Sequence, residues 1–143
     1  IEYIQKLSKN ATKLPLGLAV DEEGGIVNRI SKYHREQPFQ SPLEIYNSSG
    51  IEGILKIDKE KKDLLRKFGM NINLAPVVDV SWDASDNVCS RRLGKLPNET
   101  AEYIKKDVEG YVNDNFTCCN KHFPGYGHNT NTHTGRAIEL RSF

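Results

Sequence analysis

Three short apolar runs, at residues 14–20, 70–80 and 115–120, each follow a segment of helical periodicity, and this alternation limits the chain to very few folds. Residues 14–20 (LPLGLAV) are continuously apolar but carry a proline and a glycine. That excludes a helix and predicts a strand buried on both faces. Residues 70–80 (MNINLAPVVDV) form the second run, and Pro76 forbids a regular central ladder there, so this strand ends or bends at the proline. Residues 115–120 (NFTCCN) are short and rich in strand-favouring types.

The intervening segments read as helices. Ile1, Ile4 and Leu7 share one helical face, and the polar residues from Asn10 to Lys13 close it. Residues 34–42 hold two prolines and read as a loop, with His34 at the surface, and residues 47–50 break the chain again. Ile51, Ile54, Leu55, Leu64, Leu65 and Phe68 form a stripe that stops at Gly69, with the Lys/Glu run from Lys56 to Lys62 as its solvated face. After a long loop at 81–97, Asn98 is a suitable N-cap for a helix striped by Ala101, Ile104, Val108, Tyr111 and Val112. Helix and strand alternate three times, which predicts an α/β fold with parallel strands. A closed (β/α)8 barrel needs at least ~200 residues, more than the 143 here.

Composition narrows the function. The net charge is +1 and the basic residues are scattered, which argues against nucleic acid or an anionic membrane as partner. No apolar run approaches the ~20 residues of a membrane span, and the start lacks the pattern of a signal peptide, so a cytoplasmic setting is expected. Cys89, Cys118 and Cys119 make no disulfide framework and are expected to be buried free thiols.

Chemistry concentrates in two places. Residues 121–135 (KHFPGYGHNTNTHTG) hold Lys121, His122, His128 and His133 among turn-forming glycines, directly after a strand. In α/β folds ligands sit where loops converge at the C-terminal ends of parallel strands. Residues 21–25 (DEEGG), with Arg29 close by, follow another strand and read either as a second site-like strand end or as a solvated acidic turn. The histidine spacings fit no standard zinc pattern, so neither metal nor cofactor is expected.

Four segments lie in an order and spacing that resemble a known family: residues 16–29 (LGLAVDEEGGIVNR), 71–80 (NINLAPVVDV), 91–94 (RRLG) and 121–127 (KHFPGYG). Together they resemble the N-terminal barrel domain of family-3 glycoside hydrolases, in the β-N-acetylglucosaminidase (β-hexosaminidase) branch. The resemblance implies a partial (β/α)8 TIM-type barrel of about three βα units, with residues 1–143 as a single, incomplete catalytic domain. It implies cleavage of terminal N-acetylglucosamine from glycans such as peptidoglycan fragments, with retention at the anomeric carbon. Asp21, Arg29, Arg91, Lys121 and His122 would bind sugar. His133 would be the general acid/base, oriented by Asn131, which stands where the family carries an aspartate.

An imidazole titrates near operating pH and suits proton transfer to a leaving group. A retaining mechanism also needs a carboxylate nucleophile, which the resemblance places on a later strand beyond Phe143. This chain alone is therefore expected to bind more readily than to cut. A non-catalytic remnant binding amino sugars or a partner protein is the alternative. Open strand edges in a partial barrel imply self-association.

Overall fold

The computed structural model describes residues 1–81, 83–86 and 88–126. Its centre is a parallel three-stranded sheet of β1 (Ala19–Val20), β4 (Ile72–Asn73) and β5 (Thr117–Cys118), in spatial order β1-β4-β5. Ala19 pairs with Ile72 and Ile72 with Thr117, and a further parallel bridge joins Val77 to Lys121. Between β1 and β4 the chain forms an antiparallel hairpin, β2 (Glu22–Gly24) with β3 (Val27–Asn28), then the single turn α2 (Ser31–His34) and the long α3 (Pro42–Lys67). Helix α4 (Pro97–Asn113) connects β4 to β5, and α1 (Glu2–Thr12) precedes β1. This is the alternating architecture expected of consecutive βα units.

Several local expectations need correction. Helix α3 begins at Pro42, eight residues before the anticipated break at Gly50. Ser41 caps it: its hydroxyl accepts from the Glu44 N–H, and the Glu44 carboxylate accepts from the Ser41 N–H. A proline suits this first helical position because its missing N–H would have had no partner there. The break at residues 47–50 survives as a kink, with Gly50 at φ 65°. Helix α4 is capped by Leu96, with Pro97 following, so Asn98 lies in the first turn and is not the N-cap. The run at 14–20 is not buried on both faces: Leu14 is 67% exposed and only Ala19–Val20 is strand. Its strand stands at the sheet edge, with Ala19 exposed and only Val20 packed against the cluster of Leu65, Tyr111 and Phe116. The thiols differ too, with Cys119 exposed and Cys89 and Cys118 half-buried, although all three are free.

The largest departure lies between α3 and α4. The Lys/Glu run of α3 is not simply a solvated face, because Asp58, Lys61 and Lys62 are buried, alternating with the apolar Ile54 and Leu65. The facing side of α4 buries Thr100, Tyr103, Asp107 and Tyr111, whereas Ala101 and Val112 of the anticipated stripe are exposed. The anticipated stripe is therefore split: Tyr111 and Ile104 pack toward the α3 clusters, whereas Ala101 and Val112 are exposed. Ala101, Ile104 and Val108 also line a hollow with Val78 and Val80. Ile45, Ile54, Leu93 and Tyr103 form one apolar cluster, and Leu65, Tyr111 and Phe116 form another.

Candidate active site

Each parallel strand ends in a functional group on the same side of the sheet. Asp21 follows β1, Asp79 lies two residues beyond the Val77 bridge, and Lys121 and His122 follow β5. Asn73 of β4 helps to fix the first of these ends. Its side-chain oxygen accepts from the Glu22 N–H at 3.0 Å and its amide donates to the Glu22 carbonyl at 3.1 Å. A side chain thus continues the ladder for one residue past the last backbone pair.

The three consecutive acids do three different things. Glu22 is fully buried, and its carboxylate accepts from the N–H groups of Arg29, Ile30 and Ser31 and from the Ser31 hydroxyl. It closes the hairpin. The two glycines allow this closure: Gly24 has φ 101°, and a Cβ there would lie 2.2 Å from the Gln40 carbonyl oxygen. Glu23 is 2% exposed and is gripped by two cations. Arg91 donates to it from Nε and Nη2, both at 2.8 Å, and the Lys121 ammonium stands 2.6 Å away. Asp21 is the acid that meets solvent, its side chain 39% exposed and 2.5 Å from Lys121.

Burial alone would raise the carboxyl pKa of Glu23. The hydrogen bonds and charges of Arg91 and Lys121 outweigh it and hold the group below its ordinary range. Reciprocally, the bond to Glu23 raises the Arg91 guanidinium. The two-pronged contact is the geometry for which guanidinium and carboxylate are matched.

His122 is oriented from the opposite side. Its Nδ1 is 2.7 Å from Asp79 Oδ2, which also accepts from the His122 backbone N–H at 3.0 Å. Asp79 Oδ1 accepts from the Tyr126 N–H, and the Tyr126 ring stands edge-on to the imidazole at 5.1 Å. Nε2 lies 3.4 Å from Arg91 Nη2. A guanidinium can only donate, so Nε2 accepts and the proton sits on Nδ1, facing Asp79. A hollow of about 390 Å³ opens beside His122, lined also by Asp79, Asn120 and Phe123.

The structure thus brings Asp21, Arg91, Lys121 and His122 together. Arg29 is not in this group: its side chain is exposed, and its backbone N–H donates to Glu22. Asn131 and His133 lie outside the described residues, as does His128. Sequence reasoning missed Glu23 and Asp79 as organisers of the cluster. Both were visible as acids just beyond strand ends, but only the fold shows which cations they hold.

The model of the glycosyl hydrolase family 3 N-terminal domain matches residues 1–141. The chain belongs to this family. Among curated family-3 relatives, it is 31% identical over 137 residues to a β-hexosaminidase of Idiomarina loihiensis, covering 89% of this chain and 40% of that protein. It is 32% identical over 125 residues to the β-hexosaminidase LpqI of Mycobacterium tuberculosis, covering 85% of this chain and 32% of that one. The chain therefore spans about a third to two fifths of the length of these relatives.

Among solved structures, a family-3 glycosyl hydrolase of Mycobacterium smegmatis superposes with a TM-score of 0.70 at 33% identity, covering 80% of this chain and 36% of that one. A fungal multi-domain family-3 β-N-acetylglucosaminidase gives 0.78 at 32% identity, covering 92% of this chain and 16% of that one. The three βα units are accordingly part of a family-3 TIM-type barrel.

Proposed function

We propose that this domain supplies the sugar-gripping half of a β-N-acetylhexosaminidase site, acting on terminal N-acetylglucosamine of glycans such as peptidoglycan fragments. The observation that carries the reading is the convergence of Asp21, Arg91, Lys121 and His122 at one end of the sheet, held from below by Glu23 and Asp79. Sugar hydroxyls and an acetamide oxygen need fixed donors and an exposed acceptor. Arg91 Nη1 and the remaining Lys121 proton provide donors, and Asp21 provides the acceptor.

Hydrolysis proceeds with retention in this reading. His133 protonates the leaving group, Asn131 orients it, and Arg29 joins as a further sugar contact from the hairpin. None of the three clustered acids suits the nucleophile. Glu23 and Asp79 are buried under their partners, and Asp21 is tied to Lys121. The attacking carboxylate belongs to another strand of the barrel.

Calorimetry tests the binding step. N-Acetylglucosamine should bind with millimolar affinity, and Asp21→Ala should weaken it about tenfold or more, the usual loss for a charge-assisted hydrogen bond. Lys121 keeps Glu23 as a partner in that variant, so the cluster stays assembled. Absence of heat from the unaltered chain at millimolar sugar would overturn the reading.

The outer edges of β1 and β5 are unpaired among the described residues, and open edges recruit further strands. In this reading the isolated chain self-associates through them. Light scattering should show the mass rising with concentration, and a constant monomer mass would count against it.

A further inference from the structure

Behind the cluster, the buried ions of α3 and α4 form a chain that reaches Glu23 from its other end. The Lys61 ammonium is 2% exposed and sits 2.8 Å from the Glu23 carbonyl oxygen and 2.8 Å from Asp58 Oδ1. A cavity of only about 10 Å³ separates Glu23 and Arg91 from Asp58, Lys61 and Asp107, room for one water at most. The two groups of charges therefore share a wall. Taking an ammonium out of water costs several kcal/mol unless its partners are well placed. Of the two hydrogen-bond acceptors of Lys61, one is Asp58 on its own helix and the other is the main chain of Glu23, with the Phe39 ring 5.9 Å away.

We propose that Lys61 is a positioning residue for sugar binding: it anchors the Glu23 main chain from behind, so that the Glu23 carboxylate meets Arg91 and Lys121 together. Glu23 is then fixed at both ends, its carbonyl by a cation of α3 and its carboxylate by cations of two separate loops. Arg91 and Lys121 owe their spacing to that one carboxylate, and the sugar-facing donors owe theirs to Arg91 and Lys121. This rests on the sugar-binding role proposed above.

The test uses Asp58→Asn/Lys61→Met, which removes one cation and one anion together and leaves no orphaned charge from that pair. The first readout is the titration of the Glu23 carboxyl carbon by NMR, which needs no ligand. In the unaltered chain the grip of Arg91 and Lys121 is expected to hold its midpoint below the ordinary 4.5. In the double variant it should rise toward that value as the grip of Arg91 and Lys121 loosens. The second readout is N-acetylglucosamine affinity, expected to fall about tenfold, the scale on which outer supporting groups act.

An unchanged Glu23 midpoint in a folded double variant would overturn the proposal. If the unaltered chain binds no sugar, the sugar-binding reading fails, while the Glu23 titration still decides the role of Lys61. Should the double variant not fold, Lys61→Gln serves instead. Its amide still donates to Asp58 but is one bond shorter, and the same rise in the Glu23 midpoint is expected.

Discussion

Asp107→Asn is expected to stabilise this fold by about 3 kcal/mol at pH 8 and to leave stability almost unchanged near pH 4. Asp107 lies 2% exposed on the α4 face that meets α3. Burial, then the charge of Asp58 and its hydrogen bond, push its carboxyl from 3.8 up to about 9, against the opposing pull of Lys61 and Lys62. The folded chain thus keeps a proton that the unfolded chain releases above its ordinary value. Throughout that window the unfolded state binds fewer protons, so the contribution is fully present below about pH 4 and declines as pH rises toward about 9. Only about half of the full linkage is assigned to the variant, because water entry and side-chain relaxation soften a buried charge.

The charge count agrees. With Asp107 neutral, Lys61 has Asp58 at 2.8 Å and Lys62 has Asp114 at 2.5 Å, two cations with two anions. Among the described residues, Asp58 Oδ2 is buried without a conventional donor. The proton retained by Asp107 is the donor that this pair of acids requires, and the asparagine amide supplies a permanent one. Urea unfolding at pH 4.5 and pH 8 measures the effect. Stability curves for the two chains that run parallel between those pH values would refute the assignment of the proton to Asp107.

The same residues show where sequence reading stops. The parallel sheet followed from the three apolar runs alternating with helical stripes, because a short apolar stretch between such stripes has few other ways to bury itself; the order of the strands in the sheet did not. Position at a strand's C-terminal end made Lys121 and His122 legible, whereas Asp21 was separated from its two acidic neighbours only by the resemblance. Arg91 was found through the resemblance, since nothing local sets it apart from Arg92. Asp58, Lys61, Lys62 and Asp107 were not legible, because charges at helical spacing look the same whether they face water or one another. Periodicity records where apolar groups fall; it does not record that two charged faces are complementary. The kinked start of α3 was hidden for another reason. Pro42 reads as a breaker unless Ser41 and Glu44 are weighed together as a cap.

Glu23→Gln carries the second large effect, a loss on the order of 3–5 kcal/mol at neutral pH. The substitution removes the charge that Arg91 meets with two nitrogens and that Lys121 meets at 2.6 Å. Lys121 retains Asp21, but among the described residues Arg91 retains only the longer contact to His122 Nε2. The cost is that of a half-buried guanidinium that loses its hydrogen-bonded counter-ion and keeps only the more distant charges of Asp21 and Asp79. Because the folded-state pKa of Glu23 is depressed, its contribution is present above the ordinary value of about 4.5 and disappears as pH falls through the folded value. The gap between the two chains should therefore be widest near neutrality and narrow in acid, a loss of stability where Asp107→Asn gives a gain. Asp21→Ala is the contrast: its carboxylate is half exposed and its ion pair screened, so it should cost less than about 1 kcal/mol of stability while weakening sugar binding. Denaturant titrations of both variants at pH 7 and pH 4 separate the buried acid that holds the site together from the exposed one that meets the ligand. Equal losses in the two variants at pH 7 would mean that Glu23 does not organise the cluster.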